Sequence, residues 1–508
     1  MGIKALLLTL GHNSSAILLE DGEVLCGYEE ERLSLIKSDS SFPKLAIEQI
    51  QKFYEIPDDI EIFISHWFLN ANTGLHENSK WFDRDYLVSK FPNHNIFSLD
   101  NEQLTHHDAH AYSAYAYSKD FVDQSKVYYL VADGFGTQGE CISIYNKNLN
   151  IIYRKTGFFN SLGLMYQYAT SYLGLKENKD EYKMLGFQSS VTEHHYGAIS
   201  KLKKYMLNGN RIESDLSDLK YVKAQLHDKL RSLNLHTNAD VAHVVQSVLE
   251  EILIDYVKRY VPVDAHLVLS GGVFMNVKLN QLLSTYVNKL SVMPLCGDQG
   301  AAIGVYESVA GDFKWPGHLF WGKRHLDSSF DNDFKTKAII DILNDDGIVN
   351  VVRENMEFGA RALCNTSTLA IPSERNCQYI NMVNQRESTM PMAPVIHEKD
   401  FDNFFEASNV IDSMKYMICT AIYKDNVSGV SNKIPFSNSY SGRPQLINDD
   451  HWLAPILEAT GGILINTSYN EHGMPIVYSQ EDAERCGTYN DKYDNERRIN
   501  TFIFSSEE

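Results

Sequence analysis

The sequence predicts an α/β fold in which one strand–turn–strand unit occurs twice, followed by a further α/β domain. Two observations carry this reading. Residues 4–30 run as an apolar strand, a turn at Gly11, a second strand, a hairpin turn at Asp21-Gly22 and a third strand. Val, Leu and Ile runs punctuated by turn residues mark such a meander. The same grammar returns over residues 127–154, with strands at 127–133, 141–145 and 150–154 and a tight turn at Gly134-Phe135-Gly136. Loops after strand ends are natural ligand sites, because exposed backbone N–H groups there can meet anions.

Helices are expected between the strands. Residues 104–117 alternate small and aromatic side chains at helical spacing, and Asn238 is placed as the N-cap of a long amphipathic helix over 239–260. Lys314-Trp315-Pro316-Gly317 reads as a break before a new unit. The boundary is set near residue 325, giving domains 1–324 and 325–508, and a second stretch of about 180 residues is a normal size for one domain.

At 508 residues the chain is too long for one ordinary core. A formal net charge of −20 argues against a duplex-DNA groove binder, which needs clustered Lys and Arg, but leaves a single nucleotide open as a ligand. Seven cysteines, Cys26, Cys141, Cys296, Cys364, Cys377, Cys419 and Cys486, are scattered and never spaced Cys-x-x-Cys. They read as reduced thiols in a cytoplasm. The apolar run at residues 5–10 lacks a signal-peptide cleavage pattern and reads as a buried strand. No segment reaches the roughly 20 apolar residues of a membrane helix.

Four residues suggest a metal. His106 and His110 stand four apart on the expected helix, so both imidazoles project from one face, while His107 points elsewhere. Alone, such a pair is as readily incidental. Asp133 ends a strand before Gly134, and Asp298 sits in the turn Gly297-Asp298-Gln299-Gly300. Two His and two Asp make a divalent-metal shell. Leu269-Ser270-Gly271-Gly272-Val273-Phe274-Met275-Asn276 joins a strand to a helix through adjacent glycines, a turn that lets a nucleotide approach the backbone and meet a helix N-terminus. The duplicated plan is that of the actin and sugar-kinase ATPases.

A more specific resemblance rests on motifs spread over almost the whole chain. Gly11-His12-Asn13-Ser14-Ser15-Ala16, Glu29-Glu30-Glu31-Arg32, Lys37, His106-His107-Asp108-Ala109-His110-Ala111 and Leu269-Ser270-Gly271-Gly272 resemble the carbamoyltransferase family of NodU, CmcH and TobZ. Met356-Glu357-Phe358-Gly359-Ala360-Arg361-Ala362-Leu363, Gly442-Arg443-Pro444-Gln445 and Asn466-Thr467-Ser468-Tyr469-Asn470 follow in the family's order. The resemblance implies an N-terminal domain similar to the universal tRNA threonylcarbamoyl transferase and a C-terminal domain similar to YrdC. The second would join carbamoyl phosphate to ATP as carbamoyl adenylate, and the first would transfer the carbamoyl group to an alcohol.

Carried over by position, His106, His110, Asp133 and Asp298 would bind the metal, iron first, with Zn, Mn and Mg as alternatives. His12 would face the acceptor hydroxyl, and Lys37 the adenylate phosphate or carbamoyl oxygen. Gly134, Gly136, Gly163, Gly271, Gly272 and Asn276 would surround ATP or the adenylate. Arg361, Arg386 and Arg443 would clamp carbamoyl phosphate, since guanidinium groups bind phosphate oxygens as a bidentate fork, with Asn466, Ser468 and Asn470 adding hydrogen bonds. The chain departs from the family at Ala360, Cys364 and Thr366, where the family has Pro, Gly and Arg. Asn384 and Met390 stand where it usually has Lys and Arg, and Gln188-Ser189-Ser190 replaces Pro-Tyr-Gly. These changes put carbamoyl phosphate use and the acceptor pocket in question.

The expected activity is therefore ATP-dependent O-carbamoyl transfer to a sugar, a natural product or a hydroxymethylated cytosine nucleotide or DNA. Two other readings stay open. One is an ATP-dependent small-molecule kinase or ATPase on the same fold, which leaves the His pair unexplained; the other is a binding protein with a decayed donor site. No membrane partner is expected. The oligomeric state is open, with a homodimer among the options.

Overall fold

The computed structural model describes residues 4–66, 89–99, 102–208, 219–326, 332–385, 392–490 and 499–504. Backbone contacts divide the chain into two compact units. The first comprises residues 1–23, 40–43 and 56–315; the second comprises residues 24–39, 44–55 and 316–508. The sequence predicts a single boundary near residue 325. Two short N-terminal segments instead group with the C-terminal half, because their contacts are tertiary and leave no trace in local composition.

Strands β1 (Lys4–Thr9), β2 (Ser15–Glu20), β4 (Glu61–Ile64) and β5 (Ile96–Ser98) of the first unit, with β3 (Glu23–Glu29), which from Val24 on is grouped with the second, form a sheet of order β3-β2-β1-β4-β5. Strands β6 (Val127–Ala132), β7 (Glu140–Tyr145), β8 (Ile151–Thr156), β9 (His266–Ser270) and β10 (Lys289–Val292) form a second sheet of order β8-β7-β6-β9-β10. The two orders are the same topology. Each has its first strand antiparallel to the second and parallel to the fourth, as β1 is to β2 and β4, and β6 is to β7 and β9. The duplication read from the repeated strand grammar is thus present in three dimensions. Ala5 to Thr9 of β1 and Tyr129 to Ala132 of β6 are buried, as continuous apolar runs in central strands should be.

Two short segments precede β4 in the chain, α1 (Glu30–Ser34) and α2 (Lys44–Phe53), both in the second unit. The helix α3 (His106–Ser118) follows β5, starting two residues later than the pattern predicted because Thr105 and Asp108 close a capping box. The helix α4 (Leu162–Tyr172) follows β8. The long helix α5 (Asn238–Tyr260) is capped by Thr237, whose side chain accepts from the Asp240 N–H while the Asp240 carboxylate returns the bond. The cap expected at Asn238 is displaced by one residue, since the Thr-x-x-Asp reciprocity satisfies two orphan donors where Asn alone satisfies one. Helices α6 (Val277–Ser284) and α7 (Ala301–Val309) complete the set that frames the site. Gly304 of α7 lies against the Ala109 carbonyl of α3, where any β-carbon would clash.

In the second unit, β11 (Gly322–Lys323) pairs with β13 (Asn355–Met356). A six-stranded mixed sheet of order β19-β15-β20-β14-β12-β21 is built from β12 (Ile348–Arg353), β14 (Thr366–Ala370), β15 (Ala393–His397), β19 (Gln445–Ile447), β20 (Ile463–Ser468) and β21 (Asn500–Phe504). A small sheet joins β16 (Ala421–Tyr423), β18 (Tyr440–Gly442) and β17 (Asn432–Lys433). Ile339, Leu343, Val349, Val351, Leu369 and Leu464 form the core on one face of the large sheet. All seven cysteines are buried thiols. Among the described residues no helix is long and apolar enough to cross a membrane.

Candidate active site

His106 opens α3 and His110 lies one turn on, so the helix repeat sets both imidazoles on one face. Asp133 follows the last residue of β6, and Asp298 opens a short turn of helix before α7. These four residues form the only group of three or more His, Cys, Asp or Glu among the described residues that could hold a metal ion, with ligand atoms all within 4.8 Å of one another. His106 Nε2 stands 3.1 Å from Asp133 Oδ2 and 3.3 Å from Asp298 Oδ1; His110 Nε2 stands 3.3 and 3.5 Å from the same oxygens. Spacings of 3.1–3.5 Å are those of neighbouring ligand atoms placed about 2.0–2.1 Å from one centre. Two imidazoles and two carboxylates suit a first-row divalent metal. The donor set therefore fits the implied ion.

Neighbouring groups fix the ligands. The Gly134 N–H donates to Asp133 Oδ1 at 2.7 Å, leaving Oδ2 toward the imidazoles. Ser270 Oγ lies 3.3 Å from His110 Nδ1, the ring nitrogen away from the cluster. Burial opposes the charged forms throughout. The carboxylates of Asp298 and Asp133 nonetheless hold His106 well above the usual imidazole range and raise His110, while the two imidazoles depress both Asp133 and Asp298. The cluster is balanced for positive charge at its centre.

A second network, unforeseen from the sequence, holds α3 in place. Arg154 of β8 donates to Asp108 Oδ1 at 2.6 Å and to the Tyr145 hydroxyl at 2.6 Å, and Tyr145 donates to the same Asp108 oxygen at 2.7 Å. Arg154 Nε also donates to Ser143 Oγ, 3.1 Å away, and that hydroxyl lies 2.9 Å from His107 Nδ1. Burial drives His107 well below the usual imidazole range, so it packs as a neutral ring. A strand Arg facing a helix Asp 46 residues away has no local signature.

The glycine turns crowd the metal cluster. Gly271 has φ +100 and lies against the Ala132 carbonyl, and a β-carbon on Gly272 would sit 2.9 Å from Asp133 Oδ1. A β-carbon on Gly163, in the first turn of α4, would sit 2.7 Å from the Gly134 nitrogen. Gly136 lies in the same turn, its N–H donating to the Glu140 carbonyl at 2.7 Å. Asn276 caps α6 and pairs with Gln246, whose Oε1 accepts from it at 2.8 Å. Its amide thus holds the turn together. His12 is exposed in the turn after β1, three residues beyond Thr9, whose hydroxyl approaches the Asp298 carbonyl at 3.5 Å.

In the second unit the three C-terminal motifs converge. Asn466 Nδ2 donates to the Ala362 carbonyl at 3.0 Å, and Gln445 Nε2 to the Leu363 carbonyl at 3.1 Å. Cys364 Sγ donates to Gln445 Oε1 at 3.2 Å. Arg361 and Arg443 are half-buried on two of these motifs, and Ser468 ends β20. Asn470 donates to the Glu471 and Met474 carbonyls, closing its own turn. Lys37 is half-buried between α1 and α2. Arg386 and Met390 lie outside the described residues. Cys364, standing where the resembling family has Gly, keeps φ +74, the left-handed backbone that favours glycine. Thr366 accepts from Arg324 Nη2 at 2.8 Å.

The duplicated α/β unit thus brings two imidazoles of one helix and two carboxylates from the ends of its loops into a group that could hold a metal ion. Residues 68–306 match the model described as carbamoyltransferase N-terminus, and residues 340–494 the one described as carbamoyltransferase C-terminus. The chain belongs to the carbamoyltransferase family. It is 25% identical over 538 residues to the nodulation protein NolNO of Sinorhizobium fredii, covering 94% of this chain and 76% of that protein. It is 25% identical over 262 residues to 3'-hydroxymethylcephem-O-carbamoyltransferase of Amycolatopsis lactamdurans, covering 46% of this chain and 48% of that one. Among solved structures, a ROK family glucokinase from Streptomyces griseus in complex with glucose and AMPPNP aligns with a TM-score of 0.30 at 10% identity, covering 61% of this chain and 99% of that chain.

Proposed function

We propose that this protein is a cytoplasmic O-carbamoyltransferase that takes its carbamoyl group from carbamoyl phosphate, activates it with ATP as carbamoyl adenylate, and delivers it to a hydroxyl of a small acceptor. The observation that carries this reading is the His106/His110/Asp133/Asp298 cluster beside the Gly271-Gly272 turn, in a chain of a family named for carbamoyl transfer. A relative named as an O-carbamoyltransferase of a hydroxymethyl compound supports a hydroxyl as the acceptor.

In this scheme the C-terminal domain, similar to YrdC, forms the adenylate. Carbamoyl phosphate gives up phosphate with uptake of water, ATP gives up pyrophosphate, and the carbamate oxygen is bonded to the α-phosphorus. Arg361, Arg386 and Arg443 hold the phosphate oxygens as charged forks. At the transfer site the acceptor oxygen bonds to the carbamoyl carbon, the bond to AMP breaks, and the hydroxyl proton passes to His12. Lys37 meets the charge that gathers on the adenylate and carbamoyl oxygens. His106, His110, Asp133 and Asp298 would hold a divalent metal, iron first, which when bound supplies Lewis-acid stabilisation of an oxygen gaining negative charge. The acceptor class is a sugar, a natural product or a hydroxymethylated cytosine.

Incubating the protein with ATP, carbamoyl phosphate and a panel of such alcohols tests the scheme. Mass spectrometry should show an acceptor heavier by one carbamoyl group, with AMP and pyrophosphate as co-products. A phosphorylated acceptor with ADP would show a kinase on the same fold instead.

A further inference from the structure

The run Glu29-Glu30-Glu31-Arg32 has no part in the scheme above, yet all four side chains are engaged. Glu30 receives the N–H groups of Leu45 and Ala46 at 3.0 and 2.9 Å and so caps α2, while Glu31 receives the Ser38 N–H at 2.7 Å. These two shape their own segment. Glu29 and Arg32 reach a loop more than 300 residues away within the same unit. Glu29 Oε2 accepts from the Gly359 N–H at 3.1 Å, and Arg32 Nη2 donates to the Gly359 carbonyl at 2.7 Å. The pair is closed on itself by Arg32 Nε donating to Glu29 Oε2 at 3.3 Å.

Both side chains are almost fully buried, at 3% and 4% exposure. A buried ion pair rarely adds much stability over an apolar pair of the same size, because desolvation offsets the attraction. Its use must then be sought in geometry. Gly359 has φ +104, and with its N–H and carbonyl both bound the peptide on each side of it is held in one orientation. On one side, the Phe358 ring stacks on Trp321 at 5.0 Å and its N–H bonds the Leu319 carbonyl. On the other, the Ala362 and Leu363 carbonyls are held by Asn466 and Gln445. Arg361 sits between these two anchors.

We infer that Glu29 and Arg32 are positioning residues, which by gripping the N–H and the carbonyl of Gly359, and so the peptides on both sides of it, set the direction from which Arg361 meets a phosphate oxygen of the carbamoyl donor. This deepens the proposed donor site and rests on it. The residues act through Arg361 and touch no substrate.

Isothermal titration of the full-length protein with carbamoyl phosphate tests this, using Arg32→Lys, Glu29→Gln, Arg361→Ala and the double variant Arg32→Lys/Arg361→Ala. Misaligning an anion clamp costs roughly tenfold to a hundredfold in affinity. Arg32→Lys and Glu29→Gln should each weaken binding by about tenfold, at unchanged metal content and circular dichroism. The double variant should bind no more weakly than Arg361→Ala, since residues that act as one unit do not add. Wild-type affinity in both Arg32→Lys and Glu29→Gln, or a double loss equal to the product of the single losses, overturns the inference. If Arg32→Lys does not fold, Glu29→Gln and its double with Arg361→Ala carry the same comparison. Wild-type affinity in Arg361→Ala is a different result: it removes the donor-site reading itself.

Discussion

The metal cluster of the first unit and the 357–366 loop of the second solve the problem of buried polar groups in opposite ways. The cluster gathers four acceptor-type ligands around one point, and no Lys or Arg is among its hydrogen-bond or ion-pair partners in the bonds described above. Its own imidazoles supply what positive charge it has. The loop carries its counter-charge inside: Glu357 Oε1 accepts the N–H groups of Leu363, Asn365 and Thr366 at 2.7, 2.8 and 3.0 Å. One region therefore names its ligand by what it lacks, and the other ties three of its own backbone N–H groups to one carboxylate oxygen as a scaffold. A ligand class can be read from the first with little help, whereas in the second it must come from the side chains the scaffold presents.

The sharpest way to break this contrast is to remove the imidazoles. His106→Ala/His110→Ala should lose its divalent metal to background by elemental analysis and lower carbamoyl transfer by roughly 10³-fold, with circular dichroism unchanged. Full metal content in that variant would mean the cluster is not a metal centre. The next effect separates the two regions by step. Arg443→Ala should lower ATP-dependent turnover of carbamoyl phosphate by about 10²-fold, whereas His12→Ala should spare that turnover and lower product formation by roughly 10²–10⁴-fold. Equal loss of both activities in both folded variants would collapse the distinction.

Acid sharpens it further. Burial, reinforced by the charge of Arg353, lowers His451 to about 4. The unfolded chain takes up this proton near the usual imidazole value of about 6.5, so the folded state's advantage is full above that pH and is lost as the pH falls through about 4. By linkage this amounts to at most about 3 kcal/mol. The thermal midpoint of His451→Leu should therefore fall less between pH 7 and pH 4 than that of the wild type. The smallest effect concerns backbone strain. Cys364→Val puts a β-branched side chain at φ +74 and should cost about 2 kcal/mol in denaturant unfolding, while Cys364→Gly should stay within about 1 kcal/mol, because relieved strain offsets a lost buried thiol.

Much of the first unit was legible in the chain. Strand runs and turn residues are local signals, so Asp21-Gly22 and Gly134-Phe135-Gly136 announced both copies of the sheet, and helical spacing alone put His106 and His110 on one face. What the chain does not reveal locally is tertiary. Nothing near Arg154 points to Asp108, and nothing near Glu29 points to Gly359. Asn276 illustrates a second limit: besides capping α6 it pairs with Gln246, 30 residues away in the chain, which no local pattern names. Thr237 took the cap assigned to Asn238 because its neighbour three positions on could reciprocate.

Glu357 has one more consequence. Its outer oxygen, Oε2, is buried without a hydrogen-bond partner among the described residues, while the inner one occupies a ring of three amide hydrogens. That ring is a small oxyanion receptor plugged by the protein's own side chain. Cutting the plug back in Glu357→Gly would leave the receptor vacant, and the variant should melt earlier in chloride than the wild type but recover part of the difference in sulfate or phosphate. A salt-specific rescue of this kind would turn a structural carboxylate into a measure of how well the loop holds its shape when nothing fills it.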